Sequence, residues 1–250
     1  MLTWAACTTA PVTGRYQLNL VPDAEATKLG LSSFDSLKQS TPISKDARLT
    51  ALVQKVGERI AAAVGNDLPD AKWEFVVFES KEANAFCLPG GKVGVYTGLL
   101  PITQSEEGLA TVIGHEVAHA TARHGAERMS QELAVKYGGD LLGAGISAKD
   151  PRYGAAFNLA FPTTAKLAVL LPYGRKQESE ADRIGLTYMA RAGYNPAEAI
   201  AFWQRFAAFN KAQGSQNSPS FLRTHPLDDA RIADLKHWQS EASQQYKPKK

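Results

Sequence analysis

The spacing of apolar positions predicts a long helix after residue 45. Apolar residues recur there every three or four positions, which is the spacing of one helix face: Leu49, Leu52, Val53, Val56 and Ile60. Asp46 precedes this run as an N-cap, and Gly65 follows it as a stop signal. We therefore predict one helix between Asp46 and Gly65.

Three short strands are predicted after this helix. Residues 72–79 (KWEFVVFE) are β-branched and aromatic, and residues 83–88 form a second, shorter run. The turn PGG at 89–91 leads into a third run at 92–97. The last two strands are therefore expected to form a hairpin.

The second half of the chain has the pattern of helices. A helix is expected at 105–124, and further helical segments are expected at 126–144, 152–171, 175–192, 196–211 and 226–240. Strands come first and helices afterwards, which predicts an α+β fold that is mainly helical, with a small antiparallel sheet.

The N-terminal region has a different composition from the rest. Residues 8–45 are rich in Thr, Ser, Pro and Gly, which predicts a linker with one or two short helices, such as one at 22–29. We expect three parts in the chain: a lipoprotein-like tail and linker at 1–44, a domain at 45–245, and a basic tail at 246–250.

Composition and charge exclude several classes of protein. The chain has 250 residues, of which 44% are hydrophobic and 21% are charged, and this is the composition of an ordinary globular protein. Its net charge of +3 is too small to indicate a protein that binds nucleic acid. Its two cysteines are too few for a fold that is held together by several disulfide bonds. The most apolar window, 154–173, is interrupted by Asn158, Pro162 and Lys166. We therefore expect a soluble body without a transmembrane helix.

The N-terminus resembles the end of a bacterial lipoprotein signal. Ala5 and Ala6 precede Cys7, and a polar stretch follows it. A cysteine in this position is acylated after cleavage, which would tether the protein to a membrane surface. Only six residues precede Cys7, fewer than a whole signal needs. The alternative is a disordered terminus with a chance cysteine.

His115 and His119 belong to an H-E-x-x-H motif within a helical pattern. Residues four apart share a helix face, so both imidazoles can reach one zinc ion. Glu116 stands beside that ion without binding it, placed to take a proton from the attacking water. A chance match is the alternative, and the apolar helix around the motif disfavours it.

A catalytic zinc needs a third protein ligand. The metzincin pattern fails, because Ala122 and Gly125 stand where it requires Gly and His. Glu178 and Asp182 are four apart on a predicted helix, which suits one ligand and one carboxylate that orients a bound histidine. Glu180 lies about 200° around that helix from Glu178 and cannot share their site. This geometry does not select Glu178, and a solvated acidic face remains the alternative.

Four blocks of sequence together resemble the gluzincin metalloprotease family of HtpX, the Oma-type proteases and the CaaX prenyl endopeptidases (peptidase family M48). They are NAFCLPGGKVGVYTGLL at 84–100, VIGHEVAHATARHG at 112–125, RKQESEADRIGL at 175–186 and LRTHPLDDARIADL at 222–235. The resemblance implies a zincin-like metalloprotease domain, one Zn²⁺ per chain and a polypeptide substrate. The soluble body and the signal-like sequence around Cys7 together resemble the branch of this family that consists of bacterial periplasmic lipoproteins. This resemblance implies attachment to the outer membrane.

The family pattern implies roles position by position. The first Glu of E-x-E-A-D is the family's third zinc ligand, which implies that Glu178 is the ligand and Asp182 the orienting carboxylate. Asn84 and Ala85 fall where the family has an edge strand that pairs with an extended substrate. An edge strand does offer unpaired backbone groups for such pairing. For Asn84 the alternative is a plain turn residue.

His225, in T-H-P, and Arg231 match a His…Arg pair near the family's active site. His225 is either a fourth zinc ligand that keeps the enzyme latent or a hydrogen-bond donor to the developing oxyanion. We expect the donor role, with Arg231 adding positive charge to the same cleft. An ordinary histidine before Pro226 is the alternative.

Three further features have simpler interpretations. His124 ends the motif helix, where a cation is favourable against the helix dipole. Cys87 is expected to be a buried apolar substitute, with a thiol near the zinc as the alternative. The segment 126–172 is expected to cover the cleft.

The implied activity is a zinc-dependent endopeptidase that hydrolyses extended or misfolded polypeptides in quality control of the bacterial envelope. One rival is a latent, zinc-plugged, chaperone-like assembly factor for envelope proteins. A second rival is a structural zinc site. Three N/O ligands and an unliganded Glu116 argue against it, because structural sites are four-coordinate and usually rich in thiolates.

Overall fold

The computed structural model describes residues 7–149, 155, 171–213, 219–226 and 229–248. Its strands are β1 (Cys7–Thr9), β2 (Tyr16–Leu18), β3 (Glu74–Phe78), β4 (Ala85–Leu88) and β5 (Lys92–Tyr96). Its helices are α1 (Asp23–Ser40), α2 (Ala47–Val64), α3 (Leu100–Thr103), α4 (Glu106–Thr121), α5 (His124–Lys149), α6 (Leu171–Arg191), α7 (Glu198–Gln213), α8 (Ser220–Thr224) and α9 (Asp229–Ser243).

The larger sheet has three strands in the order β3-β5-β4. β4 and β5 form the predicted antiparallel hairpin around Gly90 and Gly91, whose φ angles of 87° and 80° favour glycine. β3 pairs with β5 in parallel, because the chain crosses to the far side of β5 before β4 begins. The predicted α+β class is confirmed, and β4 lies at an edge of the sheet.

Helix α4 carries the H-E-x-x-H motif through the middle of the molecule. Ser105, the predicted start of the helix, is its N-cap, and its hydroxyl accepts a hydrogen bond of 3.0 Å from the Gly108 amide. The helix ends at Thr121, three residues before the predicted end. Nearly every residue of α4 is buried. Where α4 crosses α6, a Cβ on Gly114 or Gly185 would lie 3.1 or 3.0 Å from the other helix's backbone. This close approach brings α6 beside the motif.

The N-terminal region is folded, and the prediction of a linker with short helices is wrong. β1 pairs with β2, and α1 is one helix of 18 residues. Ala26, Gly30 and Phe34 recur every four residues on its buried face. Phe34 packs edge-on against the rings of Phe78 and Phe86, with centroids 6.2 Å apart in each pair. Packing against the sheet therefore determines the position and length of this helix, which the composition of the region does not indicate.

The other helical predictions are confirmed where the structure describes them. The segments at 126–144, 175–192, 196–211 and 226–240 correspond to α5, α6, α7 and α9. The helix predicted at 152–171 lies outside the described residues, except for residues 155 and 171. Among the described helices, none combines the length and the apolar character that a membrane span requires.

Candidate metal centre

Four side chains from three parts of the chain converge beside α4. They are His115 and His119 on α4, Glu178 on α6, and His225 immediately after α8. One nitrogen or oxygen atom of each lies within 4.8 Å of those of the others, and all four residues are buried. The structure thus brings together the three residues predicted as ligands and adds His225 to them.

The spacing of these atoms fits a tetrahedral metal ion. His115 Nε2 lies 3.1 Å from His119 Nε2 and 3.3 Å from one carboxylate oxygen of Glu178. His119 Nε2 lies 3.4 Å from the other oxygen of Glu178. Bonds of about 2.0–2.1 Å to a tetrahedral Zn²⁺ place neighbouring ligand atoms about 3.3 Å apart. One ion of this kind therefore fits among the three residues.

The charges around the cluster also favour a cation. Glu116, Glu178 and Asp182 are buried there, and the guanidinium of Arg231 contacts Glu178 and Asp182. Buried charges are normally paired or bound to metals. A divalent cation would balance the two carboxylates that Arg231 leaves uncompensated, so both the donor atoms and the charge fit a metal such as Zn²⁺.

Asp182 stands behind His115, where an orienting carboxylate is expected. Its Oδ1 lies 2.9 Å from His115 Nδ1, so the imidazole can donate there and turn Nε2 toward the cluster. Arg231 holds Asp182 through two hydrogen bonds of 2.6 and 2.9 Å and lies 4.1 Å from the centre of the Trp203 ring. Arg231 is thus behind the cluster, and it is not among the described residues that line the cleft.

Burial and charge shift the pKa values of the cluster in opposite directions. Burial lowers the pKa of His115, but hydrogen bonds with Asp182 and Glu178 outweigh burial and raise it to about 9. At His119 burial dominates and holds the pKa well below its usual value. Burial raises the pKa of Glu178, yet the neighbouring histidines bring it well below the usual value. Glu178 therefore stays charged, as a metal ligand must.

Glu116 lies beside the cluster and faces the cleft. It is 5% exposed, and burial raises its pKa. Its Oε1 has no hydrogen-bond partner among the described residues, and Nε2 of His225 is 3.4 Å away. A buried carboxylate oxygen without a partner is placed to accept a proton from a molecule in the cleft.

A cleft of about 940 Å³ opens onto the cluster. Glu116, His119 and His225 line one side of it, and β4 lines another, including Ala85 with Asn84 just before the strand. No further strand lies beyond β4 in the part of the chain that the structure describes. The residues predicted to bind the substrate therefore line the cleft at the start of an edge strand, with Ala85 on the strand and Asn84 just before it.

Two other predictions concern the walls of this cleft. Cys87 lines it and is partly buried, and burial raises the pKa of its thiol. Its sulfur is not part of the ligand cluster. The first turn of α5 also lines the cleft. The part of the predicted cover beyond residue 149 lies outside the described residues, except for residues 155, 171 and 172.

His225 presents one ring nitrogen to each of two groups. Its Nδ1 lies 3.0 Å from a Glu178 oxygen and 3.2 Å from His115 Nε2. These separations are those of a fourth tetrahedral ligand. Its Nε2 faces Glu116. The geometry therefore favours the fourth-ligand alternative over the donor role that the sequence led us to expect.

The contact between His119 of the motif and His124 is not indicated by any pattern in the sequence. Arg123 has a φ of 53°, which turns the chain between α4 and α5 and folds His124 back on His119. His124 is fully buried, and burial lowers its pKa, so the predicted helix-end cation is wrong. Glu180 points away from Glu178, as predicted, but lies 3.0 Å from His124. It therefore reaches the metal site through a residue of another helix.

The comparisons with known proteins agree with this site. The sequence profile described as peptidase family M48 matches residues 47–239. The chain is 39% identical over 193 residues to the "Mitochondrial metalloendopeptidase OMA1" of Schizosaccharomyces pombe, covering 77% of this chain and 54% of that protein. It is 31% identical over 221 residues to the "Putative beta-barrel assembly-enhancing protease" of Vibrio cholerae, covering 86% and 43%. The chain spans about half the length of these curated relatives.

Proposed function

The chain belongs to peptidase family M48, and from this premise we propose that it is a zinc-dependent endopeptidase. One observation carries the proposal. The buried cluster of His115, His119 and Glu178 lies on a cleft, and beside it is Glu116, whose buried Oε1 has no hydrogen-bond partner among the described residues. The metalloendopeptidase names of the relatives support the same reaction class.

The residues of the site suit hydrolysis of a peptide bond. Zn²⁺ held by His115, His119 and Glu178 would polarise the scissile carbonyl and make the attacking water more acidic. Glu116 accepts the proton of that water and passes it to the leaving amine. Its raised pKa makes it a stronger base than an ordinary glutamate. Asp182, held by Arg231, keeps His115 oriented.

We propose that the substrate is an extended or misfolded polypeptide. An edge strand offers backbone N–H and C=O groups to which an extended chain can add. Asn84 and Ala85 would hold the substrate backbone at the start of this edge. Apolar side chains from β4 and its surroundings, Leu68, Phe86 and Leu88 among them, line the cleft. Such a surface favours the apolar side chains that folded proteins keep buried.

The position of His225 supports a second candidate function. With Nδ1 placed as a fourth ligand, it would occupy the open position that a catalytic zinc needs. The peptidase would then be latent until the loop of His225 moves. In the second candidate the loop does not move, and the protein acts as a zinc-plugged, chaperone-like assembly factor.

We propose a place in the bacterial envelope, with a lipid anchor at Cys7 that holds the protein at the outer membrane. The support is the signal-like sequence around Cys7 and the similarity to proteins named beta-barrel assembly-enhancing proteases. In the proposed organisation, residues 45–245 form the peptidase domain, residues 1–44 are a folded N-terminal region that carries the anchor and packs on this domain, and residues 246–250 are a basic tail.

Cleavage of unfolded casein by the purified chain tests the reaction. We expect cleavage that a chelator abolishes and that one equivalent of Zn²⁺ restores, because His115, His119 and Glu178 must hold the ion for the reaction. Mg²⁺ is the matched control, since it prefers oxygen ligands and should restore nothing. Cleavage that persists at zero metal content would contradict the proposal.

A further inference from the structure

His119 has a hydrogen-bond partner on the side away from the cluster. Its Nδ1 lies 2.8 Å from Nδ1 of His124, and Nε2 of His124 lies 3.0 Å from Oε2 of Glu180. His124 and Glu180 are both buried. The three side chains therefore form a continuous hydrogen-bonded row from a carboxylate to an imidazole of the cluster.

One assignment of protons satisfies the whole row. Glu180 accepts a hydrogen bond from Nε2–H of His124, so Nδ1 of the neutral His124 ring carries a lone pair. That lone pair accepts Nδ1–H of His119, which leaves Nε2 of His119 unprotonated. Nε2 is the His119 atom that lies in the cluster, 3.1 Å from His115 Nε2. The row thus selects the tautomer of His119 that binds a metal.

Glu180 is itself held in place by the N-terminal region. Nε of Arg15 donates to Glu180 at 2.7 Å, and its two terminal nitrogens donate to Glu127 at 2.8 Å each. The hydroxyl of Thr13 also donates to Glu180. A carboxylate with this many donors cannot swing away from His124 without breaking several hydrogen bonds.

We propose that His124 and Glu180 are positioning residues for His119, and that Arg15 fixes the carboxylate of this row. The proposal rests on the proposed function, because it assigns an orienting partner to one ligand of that site. Asp182 and Arg231 stand in the same relation to His115. Glu180 projects from a different side of α6 than Glu178 and does not contact His119 directly. The ring of His124 lies between Glu180 and His119 and connects them by hydrogen bonds.

The Zn²⁺ affinity of the full chain, measured by competition with a chromophoric chelator, tests the positioning role. Glu180→Leu keeps the side-chain volume without an acceptor, and His124→Phe keeps a ring without nitrogens. Each should weaken Zn²⁺ binding about 10–100-fold, the usual effect of removing an orienting partner. Glu180→Gln keeps an acceptor oxygen and should bind Zn²⁺ more tightly than Glu180→Leu.

Two controls separate positioning from general destabilisation. Glu241→Gln removes the 2.9 Å ion pair between Glu241 on α9 and Arg183, which lies on α6 like Glu180, and it should leave Zn²⁺ affinity unchanged. The double variant Glu180→Leu with His124→Phe should bind no more weakly than the weaker single variant, because the row is already broken. In Co²⁺-loaded protein, the visible absorption bands should shift in His124→Phe and stay unchanged in Glu241→Gln.

The outcomes are distinguishable from a failure of the proposed function. Wild-type protein that binds no Zn²⁺ would contradict the proposed function itself. Wild-type affinity in Glu180→Leu or His124→Phe would overturn the positioning role alone. Additive losses in the double variant, or a Glu180→Gln variant as weak as Glu180→Leu, would also overturn it.

Discussion

Each histidine of the motif turns one ring nitrogen to the cluster and the other to a partner. His115 has Asp182 behind it, and His119 has His124. These partners matter because a free imidazole distributes its proton between two nitrogens, and a ligand nitrogen must be unprotonated. At the scale of single residues, the orientation and protonation of the two imidazoles therefore depend on the groups behind them, Asp182 and His124.

Glu178 is the residue whose loss should remove the metal. Glu178→Ala deletes the carboxylate that lies 3.3 and 3.4 Å from the two motif imidazoles. We expect Zn²⁺ binding at least about 100-fold weaker, since losing a ligand costs no less than losing its orienting partner. Zinc content after dialysis, together with chelator competition, measures this. Glu132→Ala, an exposed carboxylate of α5, is the control.

His225→Ala should distinguish a plug from an oxyanion donor. As a fourth ligand, His225 occupies the reactive position, so the variant should cleave casein faster than wild type. It should also bind Zn²⁺ at least about tenfold more weakly. A fall in kcat of about a hundredfold or more at unchanged zinc content would instead establish the donor role.

The sequence predicts the residues of the cluster better than the residues around them. His115 and His119 are four apart, so helix geometry alone places both on one face. The choice of Glu178 depends on the family resemblance. His124 and Glu180 belong to different helices, and their contact depends on the turn at Arg123, which no local pattern predicts.

At the scale of the elements, the crossing of α4 and α6 assembles the site. His115 and His119 come from one helix and Glu178 from the other. The two helices approach closely because Gly114 and Gly185 lie at the crossing. A side chain at this point would separate the carboxylate from the two imidazoles.

Gly185→Val should therefore impair both folding and metal binding. Its Cβ would lie 3.0 Å from the backbone of Gly114 and of His115. We expect a loss of about 1–3 kcal/mol in the free energy of unfolding, as for other overpacked cores, and weaker Zn²⁺ binding. Urea denaturation measures the first effect. Gly138→Val is the control, because no atom from another element among the described residues lies within 4 Å of the position of its Cβ. Equal stability of the two variants would contradict the role of this crossing.

Elements with strong local signals are predictable from the sequence, and those that depend on packing are not. The hairpin of β4 and β5 follows from a PGG turn between two strand-like runs. Helix α1 has few apolar residues on its buried face. Ala26, Gly30 and Phe34 form that face, and they can be recognised as buried only once the sheet that they pack against is known. The parallel pairing of β3 with β5 likewise depends on the path between strands.

At the scale of the whole molecule, the region before residue 45 completes the site. Arg123 forms two hydrogen bonds of 2.8 Å with Asp23 at the start of α1, and α1 lines the cleft. Arg15 reaches Glu180 from the loop between β1 and β2. The family profile begins at residue 47. Residues outside the family match therefore shape both the cleft and the candidate metal site of this chain.

The proposed lipid anchor is also a property of the whole molecule. Expressed from its full gene in a Gram-negative bacterium, the protein should fractionate with the outer membrane, because Thr8 follows Cys7 and the sequence there resembles enteric lipoproteins without the aspartate retention signal. Cys7→Ser should release it into the soluble periplasm, and Cys87→Ser should not. Wild-type protein found wholly in the soluble periplasm would contradict the anchor.

The central claim is that Glu116 performs proton transfer at a peptidase site without binding the metal. The most direct test loads wild type and Glu116→Gln with Zn²⁺, measures the zinc content of each after dialysis, and compares their cleavage of a peptide library by mass spectrometry. We predict one zinc ion per chain in both proteins and at least about a hundredfold slower cleavage in the variant. Equal cleavage by the two proteins, or loss of zinc from Glu116→Gln, would contradict the account.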